Sequence, residues 1–579
     1  MQKTLLYSVI VAVITAMAGC TTENDNYEGN QWNFGGGGNS TTTGSLATFD
    51  ITTDRTTAEP TATANAYYPN EEDALENNDF TTEVTIDLSN PVAQTVNGVE
   101  VSVNGSHVTA NHGSVKSVCY VVSGTTTKGS LTVVGDKKYA VKLNGANITN
   151  PDSAALNLLC DKRAYILLAD GTTNTLADGT GGLQKGALYC KGKLLFNGSG
   201  SLSVTGNTNN GIHSADYIVF NKGNNIYVKS TANHGIKAND GIFINGGIIN
   251  VEVTAAAAKG INSESHIIVN GGRTTVVTTG GGAYDSDEGE AKGSAGIKTD
   301  STLTVNGGEL WLKSTGAGGK GINVDMEATF NSGGVYVITT GSQYKSGNDT
   351  SSPKGIRADG NISITDGLIR VRTSGTSGEG IETKGTLTIT GGEVASYAYD
   401  DAINSKSTLT ISGGYIYAHG QKNDGLDANG NCYVKGGTVY AICSGSPEVA
   451  IDANTEGGYK LYVQGGTIIA VGGLENGSQL TQTCYQSSWN SNTWYAMTVG
   501  NSTFAFQTPS SGGSGLVVSG ASQPTLKSGV SVSGGTTYFG GLGIADATVN
   551  GGSSVSLSSY TGNSGMGGNP GGGGPGGRR

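Results

Sequence analysis

Acidic residues recur beside a repeated Gly-Ile or equivalent dipeptide near the end of a long series of similar segments. Asp400 and Asp401 stand just before one dipeptide, and the next copy carries Asp424 and Asp427. If the copies stack in register, such carboxylates lie about 5 Å apart and repel one another. Ca²⁺ relieves this repulsion because it takes about 6–8 oxygen ligands from carboxylates and carbonyls. The pattern predicts a Ca²⁺ site at Asp400, Asp401, Asp424, Asp427, Glu448 and Asp452.

Two alternatives to this site remain open at the level of sequence. The acidic residues are also compatible with a solvated edge, or with side chains that cap turns. A second candidate for Ca²⁺ is the insert "DSDEGE", which contains Asp285, Asp287, Glu288 and Glu290. Its spacing does not match an EF-hand loop, so we do not infer one.

A second constellation combines aromatic and arginine side chains at equivalent positions of successive copies. Flat aromatic rings pack on sugar rings, and the planar guanidinium of arginine suits a carboxylate. A regular row also fits a long polymer, because many weak contacts add along its length. The alternative is a row that only stabilises the outer face of a sheet. The predicted carbohydrate-binding residues are Trp311, Tyr336, Arg370, Arg372, Tyr397, Tyr415, Tyr417 and Tyr440.

The element that must position both groups is a repeat of about 22 to 25 residues. Each copy contains three strand-like pieces, and apolar residues alternate within each piece. The starts of the copies are Gly211, Gly235, Gly260, Gly296, Gly321, Gly355, Gly380, Ala402, Gly425 and Ala450. Three strands per copy with stacked apolar positions predict an all-β chain that forms a parallel β-helix, in which no single coil could bury the core alone. The bias of parallel crossovers predicts a right-handed coil.

The ends of the chain differ from the repeat. Residues 1–19 resemble a lipoprotein signal peptide, since a charged start and a short apolar run lead to small residues before Cys20, the predicted lipidation site. Residues 20–45 are predicted to be a flexible tether. The remaining predicted segments are an N-terminal region at 46–99, the β-helix at 100–479, a C-terminal β cap at 480–560 and a disordered tail at 561–579.

Composition limits the possible partners of the chain. Its net charge is −12, which argues against nucleic acid, because phosphate binding needs a basic surface. No nucleophile elbow of the GxSxG type and no phosphate-binding loop is present. We expect a monomer that meets the membrane only through its lipid, on the outer membrane or the cell surface.

Three segments carry a family resemblance: "LNGANITN", "LLADGTTNTLADG" and "GKLLFNGSGSLSVTGNTNNGIHS". They resemble a bacterial secreted family of β-helical carbohydrate-binding domains, and the similarity runs from about residue 100 to about residue 475. The resemblance implies bound calcium and acidic plant polysaccharides such as polygalacturonate, or cellulose-like glucans, as ligands. Members often have acidic residues before the Gly-Ile, a form that this chain keeps in "YDDAIN" and "KNDGLD".

Together these observations predict a non-catalytic, lipid-anchored polysaccharide-binding protein that uses Ca²⁺. One alternative is a calcium-dependent pectate lyase, with Arg357, Lys354 or Lys384 near the acidic residues as the base. Another is a surface adhesin with a protein partner, which would predict one large apolar patch.

Overall fold

The computed structural model describes residues 51–52, 58–61 and 64–562, and nearly all of its regular elements are β-strands. The predicted parallel β-helix is confirmed, whereas its right hand stays a prediction. The predicted signal peptide, Cys20, the tether and the tail from residue 563 onward lie outside the described residues. Within the described part, no helix is long and apolar enough to cross a membrane.

The three strands of each coil form three faces of the β-helical rod. The first face contains the strands with the repeated Gly-Ile. Its members pair in parallel from His107–Asn111 onward, and antiparallel before that. The strands are Gln94–Val96, Val99–Asn104, His107–Asn111, Ser130–Val134, Leu156–Leu158, Gly186–Cys190, Asn210–Ser214, Ile236–Ala238, Lys259–Ser263, Ala295–Thr299, Lys320–Val324, Lys354–Ala358, Glu379–Thr383, Ile403–Ser405 and Leu426–Ala428.

The second face follows the first along every coil. Thr82–Asp87 starts its parallel pairing, and Val118–Thr126 and Tyr139–Asn150 run on through the next corner. Its shorter strands are Ala164–Leu168, Leu194–Gly198, Tyr217–Phe220, Gly241–Ile244, Ile267–Val269, Leu303–Val305, Ala328–Phe330, Ile362–Ile364, Leu387–Ile389, Leu409–Ile411, Cys432–Val434, Leu461–Val463 and Gln479–Leu480.

The third face follows a glycine-rich turn, and its strands lead back to the first face of the next coil. These strands are Thr173–Asp178, Ser201–Gly206, Asn225–Ser230, Ile248–Val253, Arg273–Thr278, Glu309–Ser314, Gly334–Thr339, Leu368–Thr373, Glu393–Ala398, Tyr415–Gly420, Thr438–Cys443 and Thr467–Val471. The two long spacings of the repeat hold hairpins between the third and first faces, formed by Ala283–Asp285 with Glu290–Lys292 and by Tyr344–Ser346 with Asp349–Ser351.

The core consists of apolar side chains that stack in register through the coils. Ile212 pairs with Ile236, which pairs with Ile261, and the same position continues to Leu426. These side chains are fully buried within one continuous cluster. The predicted inward stack is therefore confirmed, because alternation along each strand places one set of side chains inside every coil.

A row of asparagines stabilises the turn between the second and third faces. Asn270 donates from Nδ2 to Asn245 Oδ1 at 3.1 Å and accepts from Asn306 Nδ2 at 2.9 Å. The row extends through Asn221 to Asn197 at one end and to the exposed Asn331 at the other. Parallel stacking creates it, since each amide lies one coil from an identical amide and satisfies its neighbour.

Segments outside the coils cover two parts of the rod. On the second face, Tyr68 and Phe80 pack against Tyr165 and its neighbours. At the C-terminal end, Leu516–Ser519 pairs antiparallel with the last third-face strand and with Cys484–Ser487, which also pairs with Ser558–Tyr560.

A six-stranded antiparallel sheet then lies against the outer side of the last third-face strands, where it forms a second apolar cluster with them. Its strands, in spatial order, are Thr536–Tyr538, Gly543–Ala545, Ser502–Gln507, Trp494–Val499, Thr525–Ser533 and Thr548–Ser554. The C-terminal region thus covers the side of the rod as well as its end. Three short 3-10 helices, Glu71–Asp73, Leu75–Asn77 and Phe539–Gly541, complete the described elements.

The asparagine row gives a stability prediction. Asn270→Ala leaves Asn306 Nδ2 without its acceptor, whereas Asn245 Oδ1 keeps the Tyr67 amide as a donor, and one unpaired buried polar group costs about 1–3 kcal/mol. We expect the free energy of unfolding, measured by urea titration, to fall by about that amount. Asn331→Ala, at the exposed end of the row, serves as the control and should cost less; an equal loss would contradict this role for the row.

Candidate functional site

Parallel register brings the predicted acidic residues to one corner, between the third and first faces. Glu382 pairs with Asn404, and Asn404 with Asp427. An isolated parallel bridge from Leu426 to Ile451 carries the register on, so that Asp452 lies beside Asp427. Asp401 and Asp424, which directly precede two of the Gly-Ile or equivalent dipeptides, line the same region.

This acidic corner is an open cavity of about 470 Å³. Asp424, Asp427 and Asp452 each offer an oxygen within 4.8 Å of the others. All six residues predicted for the metal site line the cavity, together with Glu379, Lys406, Asn423 and Asn429. The spacing in the sequence thus predicted which acidic residues meet at this corner. The other four lining residues become apparent only in the structure.

Hydrogen bonds from neutral amides stabilise some of the carboxyl groups of the corner. Asn404 donates from Nδ2 to Asp401 at 2.7 Å and to Asp427 at 2.9 Å. Asp401 also accepts from the Asp424 amide at 3.1 Å, and Asp424 accepts from the Val449 amide at 2.9 Å. Asn404 is fully buried, yet its Oδ1 has no hydrogen-bond donor. A half-turn of this amide would turn an oxygen toward the carboxylates.

Burial and mutual repulsion hold protons on the acidic corner. Burial, together with the charges of Asp452 and Asp401, raises the pKa of Asp424 well above its usual range. Burial and the charge of Asp427 do the same for the pKa of Asp401. For Asp452, burial and a hydrogen bond with Glu475 raise the pKa to about 9. Carboxyl groups in this state are available to a cation that displaces their protons.

The same corner is cationic in the preceding coils. Lys259, Lys320 and Lys354 stand where Glu379, Asp401 and Asp424 stand later. Burial and the charge of Arg357 lower the pKa of Lys320 to about 7. The charge of the corner changes sign at Lys354, which forms ion pairs with Glu379 at 2.8 Å and Glu382 at 3.0 Å. The corner therefore changes from basic to acidic along the rod.

The second calcium candidate, the "DSDEGE" insert, is occupied by a cation of the chain itself. Lys292 forms ion pairs with Asp285 at 2.9 Å and Glu288 at 2.6 Å, and its ammonium lies 3.7 Å from Glu290. Because this ammonium lies among three of the four carboxylates, it occupies the position that a metal ion would need, and we do not propose a site there.

The predicted aromatic row has the expected register but only part of the expected exposure. Trp311, Tyr336 and Arg370 are neighbours in register, and Tyr417 pairs with Tyr440 further along. Tyr417 and Tyr440 are fully buried beneath the C-terminal sheet. Their prediction as contacts for an external polymer is therefore wrong: the repeat places these rings on the outer side, but a later segment of the chain covers them.

Two further residues of the row are also largely covered. Only 6% of Tyr397 is exposed. Tyr415 stacks on Tyr538 of the C-terminal segment with ring centroids 3.6 Å apart. Neither residue therefore offers an open ring face, and we remove both from the candidate surface.

In the partly exposed part of the row, the aromatic rings contact other side chains of the protein. Trp311 and Tyr336 stack with centroids 3.9 Å apart, and the guanidinium of Arg273 lies 5.3 Å from the Trp311 ring. Glu309 accepts from both Arg273 and Trp311. These contacts match the alternative reading, in which stacked side chains stabilise the sheet.

Among the arginines of the row, Arg370 lies 3.2 Å from Glu393 in an ion pair. Arg372 is half-buried, and no salt bridge to it is found among the described residues. Of the side chains in the predicted row, Arg372 is therefore the one whose guanidinium is best able to bind an external carboxylate.

The lysine and arginine residues considered as catalytic bases are held in ion pairs. Although burial opposes it, the charges of Glu379 and Glu382 raise the pKa of Lys354. Arg357 binds Asp359 at 2.5 Å, and Lys384 binds the same carboxylate at 3.1 Å. A lysine held protonated in this way is poorly suited to removing a proton.

Comparison with known proteins identifies the family. The profile of the family described as "Carbohydrate-binding domain-containing protein" matches four overlapping segments, 104–257, 250–341, 314–397 and 374–513. These segments cover more than half of the chain, so the chain belongs to this family. Family membership supports a carbohydrate ligand, as the resemblance in the sequence implied.

Two individual proteins are similar to parts of the chain. A carbohydrate-binding domain-containing protein of Acetivibrio thermocellus is 28% identical over 148 residues, which are 24% of this chain and 50% of that protein. The chain thus spans about half the length of this curated relative. A solved structure described as a polysaccharide lyase-like protein from C. thermocellum, a gadolinium derivative, is 21% identical and covers 53% of this chain and 96% of its own, with a TM-score of 0.30.

The raised pKa of Asp424 gives a test of the acidic corner without metal. At pH 8 the unfolded chain carries this carboxyl ionised, whereas the folded chain must keep a proton on it or bury a charge. Asp424→Asn removes that cost and can keep the hydrogen bond from Val449. In EDTA at pH 8 we expect the thermal midpoint to rise by about 2 °C or more. The exposed Asp240→Asn is the control, and a fall in the midpoint of the Asp424 variant would contradict the pKa argument.

Proposed function

We propose that the acidic corner binds Ca²⁺, and that this ion holds carboxylates of an acidic plant polysaccharide such as polygalacturonate. The observation that carries the proposal is the group of Asp424, Asp427 and Asp452, whose oxygens lie within 4.8 Å of one another in an open cavity. Three carboxylates bind a divalent cation strongly, and the open side leaves coordination positions for a ligand.

The chemistry of the donors favours calcium over transition metals. The residues that line the cavity offer oxygen from carboxylates and amides, with one lysine among them and no histidine or cysteine. Hard oxygen donors suit Ca²⁺ or Mg²⁺, and a wide site of irregular shape favours the larger ion. Asn404 supports this assignment because its buried Oδ1 lacks a donor and becomes a possible ligand after a half-turn of the amide.

A polymer of uronates fits the surroundings of the corner. A uronate carboxylate completes the coordination of the ion and bridges it to the sugar. Arg372 lies on the third face one coil before Tyr397, which precedes Asp400 by three residues. We propose that its guanidinium contacts a further carboxylate of the same polysaccharide. Together with a lipid at Cys20, this arrangement would hold the polysaccharide at the cell surface.

The observations favour binding over the two alternatives. The candidate bases for a lyase are paired with carboxylates, as described above. An adhesin would present one large apolar patch, whereas the exposed large apolar residues of the described chain are spread from Tyr67 to Tyr459.

The central test is retention of the full chain on a polygalacturonate affinity gel with Ca²⁺ or with EDTA. We expect calcium-dependent retention, and its loss in Asp424→Asn/Asp427→Asn, which keeps the size of both side chains but removes two of the proposed carboxylate ligands. The matched control is Asp240→Asn/Asp287→Asn, which removes two exposed charges. Retention of the first variant equal to that of the control would overturn the assignment.

The same samples distinguish binding from cleavage. Growth of absorbance in the unsaturated-uronate band would identify a lyase and turn attention to Lys354 and Arg357. Stable absorbance with calcium-dependent retention supports a binding protein.

The protonated carboxyls also predict how calcium affinity depends on pH. Since protons and Ca²⁺ compete for Asp401, Asp424 and Asp452, affinity should rise as pH increases from 6 toward the Asp452 pKa of about 9. Calorimetric titration in buffers with different ionisation enthalpies should show proton release on binding at pH 7. Asp452→Asn should release fewer protons than the wild type, and a pH-independent affinity would contradict the mechanism.

A further inference from the structure

A second corner of the rod, between the second and third faces, presents a row of backbone N–H groups. The third residue of each turn is a glycine with positive φ, at 89° in Gly223, 85° in Gly247, 77° in Gly392, 83° in Gly414 and 79° in Gly437. Residues with a side chain rarely adopt this conformation. Because the turns repeat from coil to coil with the same conformation, their N–H groups point in similar directions.

The chain itself shows what binds to this row. Glu59, which precedes the rod, accepts from the Gly223 amide at 2.9 Å through Oε2 and from the Gly247 amide at 2.6 Å through Oε1. A single carboxylate thus bridges two successive coils. A second example is Asp366, which accepts from the Gly367 amide at 2.8 Å. Carboxylates therefore occupy this position in three of the coils.

Later turns have the same donors, and no other part of the described chain accepts from them. Among the described residues, the amides of Gly392, Gly414 and Gly437 have no hydrogen-bond acceptor, and all three glycines are partly exposed. Each is preceded by another glycine, so that no side chain shields the amide.

Lys435 adds a positive charge as the first residue of the turn that contains Gly437, and its side chain is exposed. Its ammonium lies 5.0 Å from the centroid of Tyr433, which stacks on Tyr462 at 4.8 Å on the adjoining second face. The row therefore adjoins a cation and an aromatic pair on the surface of the rod.

We propose that the amides of Gly392, Gly414 and Gly437, together with Lys435, form a second, metal-independent site for the carboxylates of a uronate polysaccharide. A carboxylate bridges Gly414 and Gly437 as Glu59 bridges Gly223 and Gly247. Charge-assisted hydrogen bonds from backbone amides supply the attraction. Successive carboxylates along one polymer add their contributions. The class of ligand rests on the proposed function, but this site lies on a different corner from the calcium site.

The charge of the site can be reversed at Lys435, whose side chain is exposed. The turn glycines themselves stay unchanged, because a Cβ would lie 2.1 Å from the Thr390 carbonyl oxygen at Gly413 and 2.4 Å from the Ser412 carbonyl oxygen at Gly436. In Lys435→Glu, the new carboxylate should compete for the neighbouring amides and repel an external anion. Lys128→Glu is the matched control, because it makes the same change of charge at an exposed lysine far along the rod.

The probe is trigalacturonate in EDTA, which removes the contribution of calcium, and the readout is the dissociation constant from calorimetry. We expect the wild type and the Lys128 variant to bind alike, and the Lys435 variant to bind about tenfold more weakly or worse. Thermal midpoints near that of the wild type show that both variants are folded. The uncharged trisaccharide of galactose should distinguish carboxylate recognition from general sugar binding, and we expect it to bind the three proteins equally.

Two outcomes would overturn the proposal: no binding of trigalacturonate by the wild type in EDTA, or equal affinity of the two lysine variants. Failure of the calcium-dependent function has a separate signature. In that case addition of Ca²⁺ would not strengthen binding, and Asp424→Asn/Asp427→Asn would leave it unchanged.

Discussion

Parallel stacking in register is the constraint on which this structure depends. Each residue lies about 5 Å from the equivalent residues of the coils before and after it. Similar side chains therefore lie next to one another in neighbouring coils. Apolar positions gain from this arrangement, as in the buried row that contains Ile236 and Ile261. Amides gain as well, because Asn270 both donates and accepts within its row. Equal charges are the exception, since stacking forces them together.

The corner with the ionisable residues shows how the chain manages this exception. In the basic coils, ion pairs with nearby acidic residues and burial reduce the charge, as Lys354 and Lys320 illustrate. In the acidic coils, protons and the Asn404 amide serve the same purpose. An acidic group that holds protons because of repulsion is a group that a divalent cation can stabilise. Fold stability and the proposed binding of calcium thus share one physical origin.

Covering segments decide which repeated positions meet solvent. The row from Trp311 to Tyr440 has one register throughout, yet the C-terminal sheet buries one part and leaves the other partly exposed. Glu59 acts in the same manner at the glycine turns, where it occupies the amides of Gly223 and Gly247 and not those of later coils. A repeat therefore supplies many equivalent positions, and the irregular ends of the chain make them unequal.

The sequence by itself determined the parallel β-helix, the inward stacks and the gathering of Asp401, Asp424 and Asp427 at one corner, because a fixed spacing translates directly into vertical neighbours. Only the tertiary structure decided that Tyr417 and Tyr440 are buried. It also decided that the Trp311 ring contacts Arg273 and Tyr336, and that Glu475 lies beside Asp452. These contacts involve segments outside the repeat or the rotation of side chains, and neither follows from periodicity. Spacing fixes which backbone positions are adjacent, whereas packing by distant parts of the chain fixes what each side chain touches.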